Sequence, residues 1–117
     1  MIQARFVFDR KKRVKSFNLT GHADYADTGK DIYCSAASAI TQTVIGTLTE
    51  MIKAGQDFIY LNEVGEIDCQ ILDYDSLAEK KRIAAESLMF SAYIGLKQIE
   101  MIDGQTYLSI LKEEDYS

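Results

Sequence analysis

The chain has 117 residues and a mass of 13.2 kDa, room for one domain with a single core and not for two, so residues 1–117 are expected to form one unit. With 47% hydrophobic and 26% charged residues, the composition is that of an ordinary globular protein, which excludes disorder and collagen-like repeats. A net charge of −5 argues against specific nucleic-acid binding, and the longest uncharged runs, Ile32 to Thr49 and Ser87 to Leu96, carry enough Ser, Thr, Gln, Gly and Tyr to argue against a membrane span. The first thirteen residues alternate like a strand and end in a basic cluster, the reverse of a secretory signal, so a cytoplasmic location is expected. Cys34 and Cys69 are too few for a disulfide framework or a four-cysteine zinc site and are expected to be thiols.

Ile2, Ala4, Phe6 and Phe8 alternate with Gln3, Arg5 and Val7, the period of a strand with one buried face. A second strand over Val14 to Thr20, burying Phe17 and Leu19, pairs with the first through a turn in which Arg10, Lys11, Lys12, Arg13 and Lys15 face Asp9 alone. Such a cluster is expected to be a solvated hairpin turn, with an acidic partner as the alternative. Gly21 to Lys30 has glycines near both ends and no periodicity, so it reads as a loop. It has little apolar area to offset its ordering entropy and is expected to be mobile until substrate docks.

From Asp31, a good N-cap residue, Ala37, Ile40, Val44, Leu48 and Met51 recur at helical spacing toward a stop at Gly55. Phe58 to Leu61 and Glu66 to Leu72 read as a hairpin about Asn62 to Gly65, with Ile67, Cys69 and Ile71 on one face. Ser76-Leu77-Ala78-Glu79 fits a capping box that opens a second helix to about Ile102, with a buried stripe of Leu77, Ala84, Leu88, Ala92, Gly95 and Ile99. Gln105 to Leu111 alternates as a last strand, and Lys112 to Ser117 is expected to fray. The order ββαββαβ is α+β: two layers, with a mainly antiparallel five-stranded sheet carrying both helices on one face. Ile83, Phe90, Tyr93 and Met101 lie on other faces of the second helix, more apolar surface than one domain needs, and point to a homodimer.

The only histidine, His22, stands at the start of the loop, and Cys34 lies in the first turn of the helix expected to follow it. Amides and the positive dipole end at a helix start favour a thiolate and can hold an acyl-transfer oxyanion, while imidazole can take the thiol proton and return it to a leaving amine. Read from spacing alone, the commoner roles are otherwise: a lone cysteine is usually a small buried hydrophobe, and a lone histidine beside a glycine is often a hydrogen-bonded turn residue. Ser38, one turn beyond Cys34, could bond toward it or back to the helix backbone. Cys69 shares the inward face of its strand with Ile67 and Ile71 and is expected to be inert core. Asp27-Thr28-Gly29 matches an aspartic-protease triplet out of context, and Gly29-Lys30 lacks the other residues of a phosphate loop. His22, Asp24, Asp27 and Cys34 could together hold zinc, though with mixed loop-borne ligands and no second histidine.

Gly21-His22-Ala23, then Gly29, then Asp31-Ile32-Tyr33-Cys34-Ser35-Ala36-Ala37-Ser38-Ala39 resembles the signature of the Prp family, the ribosomal-processing cysteine proteases. Length and element order agree with that family over nearly the whole chain. The resemblance implies an endopeptidase that removes the N-terminal extension of a large-subunit ribosomal protein, with His22 and Cys34 catalytic. Gly21, Asp31 and Ser38 would be supporting residues. It also supports a homodimer that needs no metal or organic cofactor. The rival readings are a non-catalytic module that docks on ribosomal components through the basic turn, and a small metal-binding hydrolase. Tyr33 and Ser35 depart from the small or aliphatic residues of the family pattern.

Overall fold

A computed structural model describes residues 1–21, 28–103 and 105–116, with the backbone alone for 28–31 and 103. Strands β1 (Ile2–Phe8) and β2 (Val14–Thr20) precede helix α1 (Thr28–Met51). Strands β3 (Phe58–Glu63) and β4 (Glu66–Ile71) follow, then a 3-10 turn at Tyr74–Ser76, helix α2 (Glu79–Asp103) and strand β5 (Leu108–Glu114). The five strands form one sheet in the order β3-β4-β2-β1-β5. Three of its pairings are antiparallel, and β1 with β5 is parallel. This is the expected α+β arrangement, and the alternation in β1 is realised directly: Ile2, Ala4, Phe6 and Phe8 are buried.

The core fills the space between sheet and helices. Phe6 packs against Phe17 at 5.7 Å and takes the Tyr93 ring edge-on at 5.2 Å, and Phe8 meets Tyr93 in the same geometry. Such ring pairs add about 0.5–1.5 kcal/mol each beyond the area they bury. Helix α1 buries Ala37, Val44, Ile45, Leu48 and the residue just after its end, Ile52, while Met51 turns outward. The two helices cross where Gly95 of α2 meets Ile40 of α1: a Cβ at Gly95 would lie 3.1 Å from Ile40 Cγ2.

Four expectations from the sequence need correction. Helix α1 begins at Thr28 and not after an Asp31 cap. Asp-Thr-Gly-Lys suits a loop, but acidic residues are equally favoured inside a first turn, where they meet the positive end of the dipole. Ser76 does not cap α2; it closes the 3-10 turn, with its hydroxyl donating to the Asp73 carbonyl at 2.8 Å, and α2 starts at Glu79.

The fully buried stripe of α2 is Ala85, Met89, Ala92 and Leu96, centred about 70° from the expected one, with which it shares Ala92; Leu77, Leu88 and Ile99 are only partly buried against the core, because this helix carries apolar residues on most of its faces. Finally, Lys112 to Glu114 do not fray. They complete β5 in register with Phe6 to Phe8, and the Asp115 amide donates to the Phe8 carbonyl at 2.8 Å. Arg5 pairs with Glu113 and Lys15 with Asp115, so the charges that suggested a loose tail tie it down.

Candidate active site

Cys34 is the seventh residue of α1 and half-buried, packed against the edge of the core. The shift of the helix start to Thr28 alters its surroundings. The amides without helical acceptors belong to the first turn, and in a regular helix the Cys34 amide is committed to the carbonyl four residues back. The dipole effect on its sulfur is correspondingly weaker, since it decays within the first turn. Ser38 follows one turn later and is half-buried; its carbonyl takes a share of the buried Thr41 hydroxyl at 3.3 Å.

His22, with Asp24 and Asp27, lies outside the described residues, as does the side chain of Asp31. Residues 22–27 of the segment expected to be mobile and three of the four possible zinc ligands therefore fall there too, while Thr28 to Lys30, expected in that loop, belong to α1. Gly21, the residue before His22, is described. It has φ +83, and a Cβ there would sit 2.5 Å from the Met1 carbonyl oxygen. The next amide along β1, that of Ile2, donates to the Tyr107 carbonyl at 2.7 Å. The Tyr107 ring stacks on Tyr33, with centroids 5.4 Å apart and planes at 26°. Gly21 and Tyr33, the neighbours of His22 and Cys34 in sequence, are thus tied through Met1, Ile2 and Tyr107 to one end of the sheet. Tyr107 carries no local sequence signal for this role, because it acts only once β5 lies beside β1.

The second thiol is of another kind. Cys69 is fully buried in β4, 3.9 Å from the Met89 sulfur, and burial pushes its pKa up to about 12, so it is inert as expected. The basic turn is also largely committed. Arg13 bonds Asp9, Asp75 and Glu86 and lies 4.8 Å from the Tyr74 ring centroid, Lys11 approaches Asp75 at 3.6 Å, and Arg10 donates to the Tyr116 carbonyl. Hydrogen bonding from Arg13 holds the Asp75 carboxyl below its ordinary pKa. Such a turn offers little net charge to an acidic partner.

The match of a protease family model to most of this scaffold sets the class: the chain, with one half-buried thiol in its first helix and one buried thiol in its sheet, is a cysteine protease. It belongs to the family described as cysteine protease Prp, whose model matches residues 1–107. The ribosomal processing cysteine protease Prp of Bacillus subtilis is 30% identical over 103 residues, covering 86% of this chain and 88% of that one. Among solved structures, the fold is similar to that of the ribosomal processing protease Prp from S. aureus in complex with a substrate peptide (TM-score 0.76, 18% identity, 97% of this chain and 100% of that one). A protein of Streptococcus mutans is similar as well (TM-score 0.75, 20% identity, 98% and 96%).

Proposed function

We propose that this chain, acting as one protease domain over residues 1–117, removes the N-terminal extension of a large-subunit ribosomal protein, with Cys34 as nucleophile and His22 as base and then acid. The observation that carries the reading is the contrast between the two thiols: Cys34 at the edge of the core beside the Tyr33–Tyr107 stack, Cys69 sealed within it. In the reaction, His22 takes the proton from Cys34 and the thiolate attacks the scissile carbonyl. His22 then protonates the leaving amine as the C–N bond breaks, and water hydrolyses the resulting thioester. Amides of the first turn of α1 are the nearest set without helical acceptors and are assigned to the oxyanion. Because Cys34 stands beyond that first turn, its activation falls mainly to His22.

Gly21 sets the path of the chain into His22. Asp31 and Ser38 are assigned supporting roles, Asp31 as a first-turn residue and Ser38 one turn beyond the nucleophile. The substrate class follows from the family: the S. aureus relative was solved with a substrate peptide and with a covalently linked product peptide. No described helix is long and apolar enough to cross a membrane, and the proposal places the enzyme in the cytoplasm as a homodimer without metal or cofactor. The test is cleavage of the extended ribosomal protein by wild type, Cys34→Ala, His22→Ala and Cys69→Ala. Wild type and Cys69→Ala cleave and the other two do not; undiminished cleavage by Cys34→Ala overturns the assignment.

A further inference from the structure

The outward faces of the two helices differ in kind. Along its middle, helix α1 shows solvent Gln42, Thr43, Gly46, Thr49 and Glu50, its exposed large apolar residues being confined to Ile32 near one end and Met51 at the other. Helix α2 shows Ile83 (50% exposed), Phe90 (46%), Ile94 (41%) and Met101 (70%). At about 100° per residue these four fall within about 40° of arc, a straight stripe some 27 Å long at about 1.5 Å rise per residue. Building on the homodimer reading above, we infer that this stripe is where a second copy of the chain packs its own α2, antiparallel to the first.

The spacing favours that register. The stripe is symmetric about Ala92, so turning one copy end over end sets Ile83 against the partner's Met101 and Phe90 against the partner's Ile94, with every apolar residue matched. Charge selects the same direction. Glu86 and Lys97 both lie on one flank of the stripe, about 40–60° from its centre. Antiparallel packing brings Lys97 to Glu86 of the partner subunit twice over, and both side chains are accessible enough to respond. Parallel packing would instead place Lys97 and the partner's Glu86 on opposite flanks of the seam and at different heights, where they cannot pair. Ser87 and Ser91, exposed beside the stripe, leave room for close approach of the two helices.

The test begins with sedimentation of the full chain at micromolar concentration, wild type against Phe90→Glu/Ile94→Glu. Wild type runs at twice the 13.2 kDa chain mass and the double variant at once that mass, with its helical circular dichroism unchanged. A second arm works on a Cys34→Ala background and needs no destabilising charge. Mild oxidation of an equal mixture of Ile83→Cys and Met101→Cys chains gives a disulfide-linked dimer, and neither chain alone does. A single-chain mass for wild type overturns the homodimer itself. A wild-type dimer that survives Phe90→Glu/Ile94→Glu and gives no mixed crosslink leaves the homodimer standing and overturns this face. Crosslinking of Ile83→Cys chains with one another overturns the antiparallel register.

Discussion

Replacing Gly21 by alanine probes the strand end that feeds His22, and the structure supplies both terms of its cost. A side chain at φ +83 costs about 1–2 kcal/mol relative to glycine. The new Cβ would also stand 2.5 Å from the Met1 carbonyl oxygen, a backbone atom that can withdraw only by straining the Ile2 amide bond to Tyr107. Forcing such an overlap adds about 1–3 kcal/mol. Gly55 is the internal control: φ is +86 there, but nothing lies within 4 Å of where its Cβ would stand, so Gly55→Ala bears the backbone term alone. At about 4 °C per kcal/mol for a chain of this size, Gly55→Ala lowers Tm by about 4–8 °C and Gly21→Ala by about 8–20 °C.

Cleavage separates the pair further. Measured where both variants are folded, Gly55→Ala keeps wild-type kcat/KM, whereas Gly21→Ala loses about 100-fold, the usual scale for a catalytic group moved by about 1 Å. Thermal unfolding followed by circular dichroism and a peptide-cleavage assay give both numbers. If Gly21→Ala proves no less stable than Gly55→Ala and cleaves at the wild-type rate, the close approach to Met1 does not set the entry to His22.

Gly95→Ala presses on Ile40 Cγ2 and Cδ1, an overlap of about 1–3 kcal/mol set against the about 1 kcal/mol that alanine gains over glycine in a helix interior, so denaturant titration should show a net loss of up to about 2 kcal/mol; Ile40→Val in the same chain, which removes Cδ1 but keeps Cγ2, should recover part of it. Tyr74→Phe removes the hydroxyl that donates to the Val14 carbonyl at 2.6 Å in a buried setting and should cost about 1–3 kcal/mol in the same measurement. Cys69 has its folded pKa raised from 9.0 to about 12, so the unfolded chain releases this proton first. Its contribution is intact below pH 9 and is lost as pH rises toward 12, by up to about 1.4 kcal/mol per unit. Stability measured against pH should therefore fall less steeply above pH 9 in Cys69→Ala than in wild type. Iodoacetamide at pH 8 should label Cys34 and leave Cys69 unlabelled in the folded protein, as peptide mapping by mass spectrometry will show.

Where the pattern was local, it could be read directly. Ile2 to Phe8 alternate because one face of β1 is buried and the other is not, and Cys69 declared itself by sharing a face with Ile67 and Ile71. The start of α1 could not be placed that way, since Asp, Thr and Gly serve a loop and a first helical turn alike. The stripe of α2 was ambiguous because Ala84, Leu88 and Ile99 compete with Ala85, Met89 and Leu96, and only the position of the sheet decides between them. The full extent of β5 depended on a partner strand about a hundred residues away, and the run of charges after Leu111 hid it. At the site, His22 and Cys34 stood out as the lone histidine and a thiol near a helix start. Tyr107 did not, because its contact with Tyr33 exists only in the folded sheet.

The central claim is that Cys34 forms the covalent intermediate, and intact-mass spectrometry during turnover tests it most directly. With an ester of the ribosomal-protein N-terminal peptide as substrate, wild type should gain one acyl group that peptide mapping places on Cys34, and Cys34→Ala should gain none while Cys69→Ala behaves as wild type. An acyl group on another residue, or peptide cleavage that continues after Cys34 has been fully alkylated, would contradict the account.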